Sequence, residues 1–252
     1  MKIFFRKLHR WLGLLMALQI MAWMLSGFYF SLYPIAEIRG EHLTRPAESL
    51  ARDDLGAVAM PAEAGKSLDE HFKQDWELVS AGLLRQGDVP YWRIEGRVGG
   101  SSFVRLVGPD GEVKPRLSAI EAERRASSLL QNPVDEPVVS WLETEGDGQE
   151  FRGRALPVWK INFREPENLA LYLHPWTGEI LARRTDRWRL FDFLWMLHIM
   201  DFDTRDDFNH PLLQGAALLG LVVAASGLVF WLITTRLFRR RRNSAATNQL
   251  PG

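Results

Sequence analysis

The chain has no cysteine among its 252 residues. That excludes disulfides, iron–sulfur clusters, cysteine-type zinc sites and covalently attached c-type haem. It leaves the redox compartment open. No excess of one charge is present either: 31 basic residues stand against 31 acidic, so nothing points to nucleic acid as a partner. No Gly-rich phosphate loop follows a strand pattern, and no HExxH occurs. Gly146-Asp147-Gly148 is an acidic turn without the further acids that an EF-hand requires.

The absence that organises the chain is local. From Trp11 to Tyr33 there is no Asp, Glu, Lys, Arg or His. A bilayer core about 30 Å thick takes roughly 20 apolar residues in a helix. This run meets that length and predicts a membrane helix from about Phe4 to Tyr33. It is longer than the h-region of a signal peptide and ends Ser31-Leu32-Tyr33-Pro34 rather than Ala-x-Ala, so an uncleaved signal-anchor is expected. A second uncharged run, Pro211 to Thr235, predicts a second span, with Asn209 as its cap and Pro211 in its first turn.

Charge is polarised between these runs. Lys2, Arg6, Lys7 and Arg10 precede the first, and Arg236, Arg239, Arg240, Arg241 and Arg242 follow the second. By the positive-inside rule both termini are cytoplasmic and the residues between the spans lie on the opposite face, the periplasm of a Gram-negative cell. Small residues at Gly13 and Ala17, and at Ala216, Gly220 and Ala224, suit close helix approach within the chain or to a second protomer.

The region between the spans carries an internal repeat. A shift of 67 places Trp92-Arg93-Ile94 on Trp159-Lys160-Ile161 and Val104-Arg105-Leu106 on Leu171-Tyr172-Leu173. It also places Gly111-Glu112-Val113 on Gly178-Glu179-Ile180. Alternation around Trp159, Ile161 and Phe163 predicts half-buried antiparallel strands. Ser118-Ala119-Ile120-Glu121 is a capping box that opens a helix to about Gln131. The same shift expects its counterpart near Ala51, within a short helix from Glu48 to Ala59. The fold class read from this pattern is an α+β membrane protein, each repeat a helix on a small antiparallel sheet. Trp188, Phe191, Trp195 and His198 fall three and four apart, which predicts an aromatic-faced helix. Its apolar content suits the membrane interface, and a buried core helix is the other reading.

The chain resembles the PepSY-associated transmembrane proteins. The resemblance rests on Lys7-Leu8-His9-Arg10-Trp11-Leu12-Gly13, on Leu171-Tyr172-Leu173-His174-Pro175-Trp176-Thr177-Gly178-Glu179-Ile180-Leu181, and on Trp195-Met196-Leu197-His198 ahead of a last span ending Ser226-Gly227-Leu228-Val229-Phe230-Trp231. It implies two transmembrane helices flanking a tandem PepSY-like extracytoplasmic domain. The divisions are 1–33 (basic head and first span), 34–117 (first PepSY-like unit with its linker), 118–185 (second unit), 186–203 (interfacial aromatic helix), 204–235 (loop and second span) and 236–252 (basic tail). Some members are inner-membrane reductases of ferric siderophores that hold haem b between four spans. This chain has two, and a homodimer restores four.

The function implied is haem-b electron transfer in the inner membrane, by a ferric reductase or an electron-transfer subunit, to a periplasmic acceptor such as a ferric chelate. The alternative is a non-enzymatic, membrane-anchored PepSY module that docks a periplasmic protein, or an accessory subunit of a larger membrane complex. Haem b takes neutral imidazoles as axial ligands. His9, His198 and His210 are the candidate cofactor-binding residues, as ligands of haem iron; no catalytic residue is assigned. Each has a plainer reading. His9 sits in a basic cluster suited to lipid phosphate, His198 closes an aromatic face suited to packing, and His210 opens a helix where a local polar role is common. The acids Asp201, Asp203, Asp206 and Asp207 suit a solvated loop or a cation. His174 is expected in an exposed turn, and His42 and His71 have no evident partners.

Overall fold

A computed structural model describes residues 2–58, 61–132, 136–144 and 149–234. Gly146-Asp147-Gly148 and the Arg236–Arg242 cluster lie outside the described residues. The chain divides into two compact units, one of residues 1–33 with 190–252 and one of residues 34–189.

The first unit is helical. Helix α1 runs Lys2–Leu32 and helix α6 runs Pro211–Thr234. Within them Arg10–Leu32 and Pro211–Val229 are long and apolar enough to cross a membrane. Both are apolar around most of their circumference, as helices facing lipid are. Where they meet, Gly220 takes the place the small-residue spacing suggested. A Cβ there would come within 3.2 Å of the Met16 Cε, and Met16 is buried. Gly13 has open space about it and Ala17 is exposed, so the small-residue face of α1 is not the one that meets α6. A flexible methionine fills the gap beside Gly220 instead.

The second unit is α+β. A short helix α2 (Ile35–Ile38) and a 3₁₀ turn at Glu41–Leu43 lead into an extended linker. A second 3₁₀ turn spans Arg52–Gly56, where the Ala51 N–H donates to the Asp54 carboxylate at 2.7 Å. Helix α3 (Pro61–Phe72) then lies on strands β1 (Trp76–Gln86), β2 (Val89–Val98) and β3 (Ser101–Val107). Helix α4 (Ala119–Leu129) lies on β4 (Val138–Leu142), β5 (Val158–Asn162), β6 (Ala170–Leu173) and β7 (Ile180–Arg184). Both sheets are antiparallel meanders in chain order.

The repeat is real but has two offsets. The strands β2 and β3 match β5 and β6 at the shift of 67, whereas the helices do not. The helix expected around Ala51 is the 3₁₀ turn, and the counterpart of α4 is α3, starting at Pro61. Trp92 pairs with Leu83, nine residues earlier, and Trp159 pairs with Trp141, eighteen earlier. The second copy thus has nine more residues between its first two strands. Shortening the offset by that number aligns Ala64 and Leu68 of α3 with Ala122 and Ala126 of α4, all fully buried.

The extra residues have a use. Phe151, in a 3₁₀ turn within that connection, stacks on Tyr172 of β6 at 4.8 Å and 12°. Strand β6 is therefore buried on both faces, α4 covering one and the connection the other. The alternation read from the sequence fits a sheet with one wet face, and the added cover removes it. The two copies meet through the turn after β6. Arg93 donates to Glu179 at 3.0 Å, and the Arg105 guanidinium lies 4.2 Å over the Trp176 ring.

Helix α5 (Asp186–Ile199) follows β7. It is shorter than the aromatic segment read as 186–203, because Met200 takes a left-handed φ of 57° and stops it.

Candidate functional site in the helical unit

The last turns of α5 pack along α1. Phe191, Trp195 and His198, three and four residues apart, form a ladder of near-parallel rings spaced 6.3 and 6.2 Å. Phe30 of α1 meets all three, with centroids at 4.7, 6.2 and 5.6 Å. The spacing that predicted an aromatic face thus builds one, and α1 covers it. Leu190 and Phe193 remain exposed on other sides of α5.

A helix leaves its last carbonyls without intrahelical partners, and away from water each needs a donor. Here three consecutive ones receive side-chain donors. Gln19 Nε2 donates to the Leu197 carbonyl at 3.2 Å, Trp23 Nε1 to the His198 carbonyl at 2.7 Å, and His210 Nε2 to the Ile199 carbonyl at 2.8 Å. Gln19 and Trp23 come from α1, and His210 immediately precedes α6. The mid-span amide and indole are therefore spent on capping α5.

The three candidate histidines stand differently. His9 is on α1, and its side chain lies outside the described residues. His210 uses both ring nitrogens: Nδ1 accepts from the Leu213 N–H at 3.4 Å while Nε2 donates to Ile199. It is the cap of α6, the role expected of Asn209, because the helix starts at Pro211 and the capping residue is the one before it. His198 uses one nitrogen. The Ser26 Oγ lies 2.6 Å from Nδ1 and also 2.8 Å from the Ala22 carbonyl, four residues back on α1. With the hydroxyl proton directed to Ala22, Nδ1–H donates to Ser26 Oγ. The Nε2 of His198 has no hydrogen-bond partner among the described residues. His198 and His210 are brought to one end of α5, since the carbonyls of residues 198 and 199 take Trp23 and His210.

The loop after α5 folds on itself. The Asp201 carboxylate accepts from the backbone N–H groups of Asp203, Thr204, Asp206 and Asp207. The Thr204 hydroxyl, with those amides, holds it well below the usual carboxylate range. Arg205 pairs with the buried Asp192, and its carbonyl accepts from Trp195 Nε1 at 3.1 Å. Among the described residues no group of three His, Cys, Asp or Glu converges as a metal site. Asp201 makes the turn of this loop, and Asp207 accepts from the Asn209 N–H at 2.8 Å at its end.

A family model for the PepSY-associated TM region matches residues 6–250. The chain belongs to that family. No curated protein and no solved structure matches it. As a PepSY-associated membrane protein, it carries one candidate span before and one after the α+β unit in the chain, and the Ser26–His198 pair belongs to the unit that holds the spans.

Sequence reasoning singled out His198 but missed what surrounds it. Gln19 and Ser26 are two of the few polar side chains in the uncharged run of α1. Their spacing of seven puts both on one face of α1 with Trp23 between, and that was the available signal. His174 was also misread. It is half-buried, its Nδ1 accepts from the N–H groups of Trp176 and Thr177 at 3.3 and 3.2 Å, and burial pushes its pKa down to about 4.

Proposed function

We propose that this PepSY-associated membrane protein holds haem b through His198 Nε2 and passes single electrons to an acceptor on the side of the α+β unit. One observation carries the reading: His198 gives Nδ1 to Ser26 and leaves Nε2 free beside a ladder of flat rings. Histidines that ligate metal commonly donate their other ring N–H to a fixed acceptor, which sets the tautomer and aims the lone pair. Ser26, itself anchored on Ala22, is such an acceptor. The donor set fits the cofactor: a neutral imidazole among aromatic and apolar side chains, in a chain without cysteine.

Bound there, the haem iron would supply a one-electron couple. The protein's part is to orient the imidazole through Ser26, to exclude water with Phe30, Phe191 and Trp195, and to fix the end of α5 through Trp23. His210 is assigned to capping, because ligation would cost it two hydrogen bonds. His198 of another copy would hold the group together with this one, which would make the functional unit a homodimer with four spans. His9 remains a candidate for a second haem at the basic end of α1. The basic flanks favour termini in the cytoplasm and an α+β unit in the periplasm of an inner membrane, where a ferric chelate is a fitting acceptor.

The test is a pyridine haemochrome assay on protein purified in detergent from a haem-replete host. Haem b in stoichiometric amount supports the reading. A haem-free preparation of folded protein contradicts it.

A further inference from the structure

The α+β unit contains a cavity of about 730 Å³ that the proposed electron transfer does not use. Its walls are the linker at 45–51, the tip of the β1–β2 hairpin, α4 and the start of β7. The volume is that of a small-molecule site.

Leu50, Leu84, Leu129 and Ile180 give it apolar surface. Arg45, Arg85, Arg125 and Arg183 face Glu48, Asp88 and Glu179 there. The acids have partners. Glu179 takes Arg93 at 3.0 Å, Glu48 lies 3.6 Å from Arg125, and the exposed Asp88 lies 3.6 Å from Arg85. Asp54 holds Arg85 from outside the cavity at 3.1 Å. The remaining cations are less well matched. Arg125 Nε is buried with no hydrogen-bond partner. Arg183 gives Nε to the Thr44 hydroxyl at 2.8 Å, and Glu41 favours its charge against the burial that opposes it. Arg45 makes no ion pair among the described residues.

With Arg93 included, five guanidiniums stand against six carboxylates, those of Glu41, Glu48, Asp54, Asp88, Glu95 and Glu179, so what the cavity leaves unused is not net charge but donors, on Arg45 and Arg125. A buried guanidinium donor without an acceptor is costly, and a planar oxyanion relieves that cost with charge-assisted bonds. We propose that the cavity binds a small organic monocarboxylate with an apolar body. Its carboxylate lies on Arg45, Arg125 and Arg183, and its body on Leu50, Leu84, Leu129 and Ile180. With no surplus positive charge around it, the cavity favours a monoanion over a dianionic phosphate ester.

The test is isothermal titration of the full chain in lipid nanodiscs, with empty nanodiscs as the blank. The probes are 1-naphthoate, its uncharged analogue 1-naphthamide, and 1-naphthyl phosphate. The expected result is a single site for naphthoate, at least about tenfold tighter than for either other probe. Arg45→Gln, on the exposed linker, should weaken naphthoate about fivefold to tenfold. Ser128→Trp, which fills the mouth from the exposed side of α4, should abolish it. The proposal is overturned by naphthoate binding no tighter than naphthamide or naphthyl phosphate, by no naphthoate heat at millimolar concentration, or by binding that survives both substitutions.

Discussion

The Ser26 hydroxyl lies 2.6 Å from Nδ1 of His198, a residue 172 positions away in the chain. The contact fixes the imidazole of α5 to a backbone-anchored oxygen on α1. A hydrogen bond of this kind contributes about 1 kcal/mol net, and more when its loss strands a buried partner. Ser26→Ala should therefore lower the stability of the helical unit by about 1–2 kcal/mol. Ser26→Thr, which keeps the hydroxyl, should recover most of it. Denaturation followed by tryptophan fluorescence checks both. Equal losses in the two variants would show that the small side chain matters and the hydroxyl does not.

Trp23 caps α5 with its indole N–H. Trp23→Phe keeps the ring and removes the donor, leaving the His198 carbonyl unpaired at a cost of about 1–3 kcal/mol. The effect should concentrate in the last turn of α5. Hydrogen exchange of the amides from Trp195 to Ile199 should speed up while β5 and β6 stay protected. Uniform acceleration across both units would count against a local capping role.

His174 makes the stability of the α+β unit depend on pH. Burial holds its folded pKa down at about 4, with Arg93 and Arg105 adding to the effect and Glu179 opposing it, against an ordinary value of 6.5. As pH falls through 6.5 the unfolded chain takes up a proton that the folded chain refuses. The stabilisation is therefore complete above 6.5, is lost between 6.5 and about 4, and changes no further below that. At about 1.4 kcal/mol per unit the loss over that interval is on the order of 3–4 kcal/mol. His174→Asn offers a non-titrating acceptor to the same N–H groups. Urea unfolding at pH 7 and pH 4.5 should show a smaller drop in the variant than in the native chain. Equal drops would remove His174 as the cause.

Gly96 sits where β2 has no room for a side chain. A Cβ there would fall 2.6 Å from the Glu77 carbonyl oxygen and 2.7 Å from the Phe103 ring. Gly96→Ala should cost on the order of 1–3 kcal/mol, because backbone on one side and a packed ring on the other must move. Gly82 on β1 has open space about it, so Gly82→Ala should leave stability within about 0.5 kcal/mol of native. Thermal melts of the pair compare them directly.

Much of this was legible in the residues. The uncharged run from Trp11 to Tyr33 announces its span, and Trp92 on Trp159 announces the repeat. What stayed hidden involves offsets and partners. One shift of 67 could not show nine added residues between β4 and β5, so the first helix was placed too early. The alternation at Trp159, Ile161 and Phe163 could not show that Phe151 would cover the other face. At the candidate site the 3.6-residue period gives the aromatic face of α5. It cannot give Ser26 as the partner of His198, because nothing local links residues so far apart in the chain. Nor does it show that the fold engages both ring nitrogens of His210 and one of His198.

The central claim is that His198, and not His210, holds a haem. The most direct measurement compares reduced visible spectra of the native chain, His198→Ala and His210→Asn, each purified from the same haem-replete host. A b-type Soret and α-band are expected in the native chain, with their loss in His198→Ala and their retention in His210→Asn, where asparagine keeps the helix cap. A colourless native preparation, or a spectrum that survives His198→Ala unchanged, would contradict it.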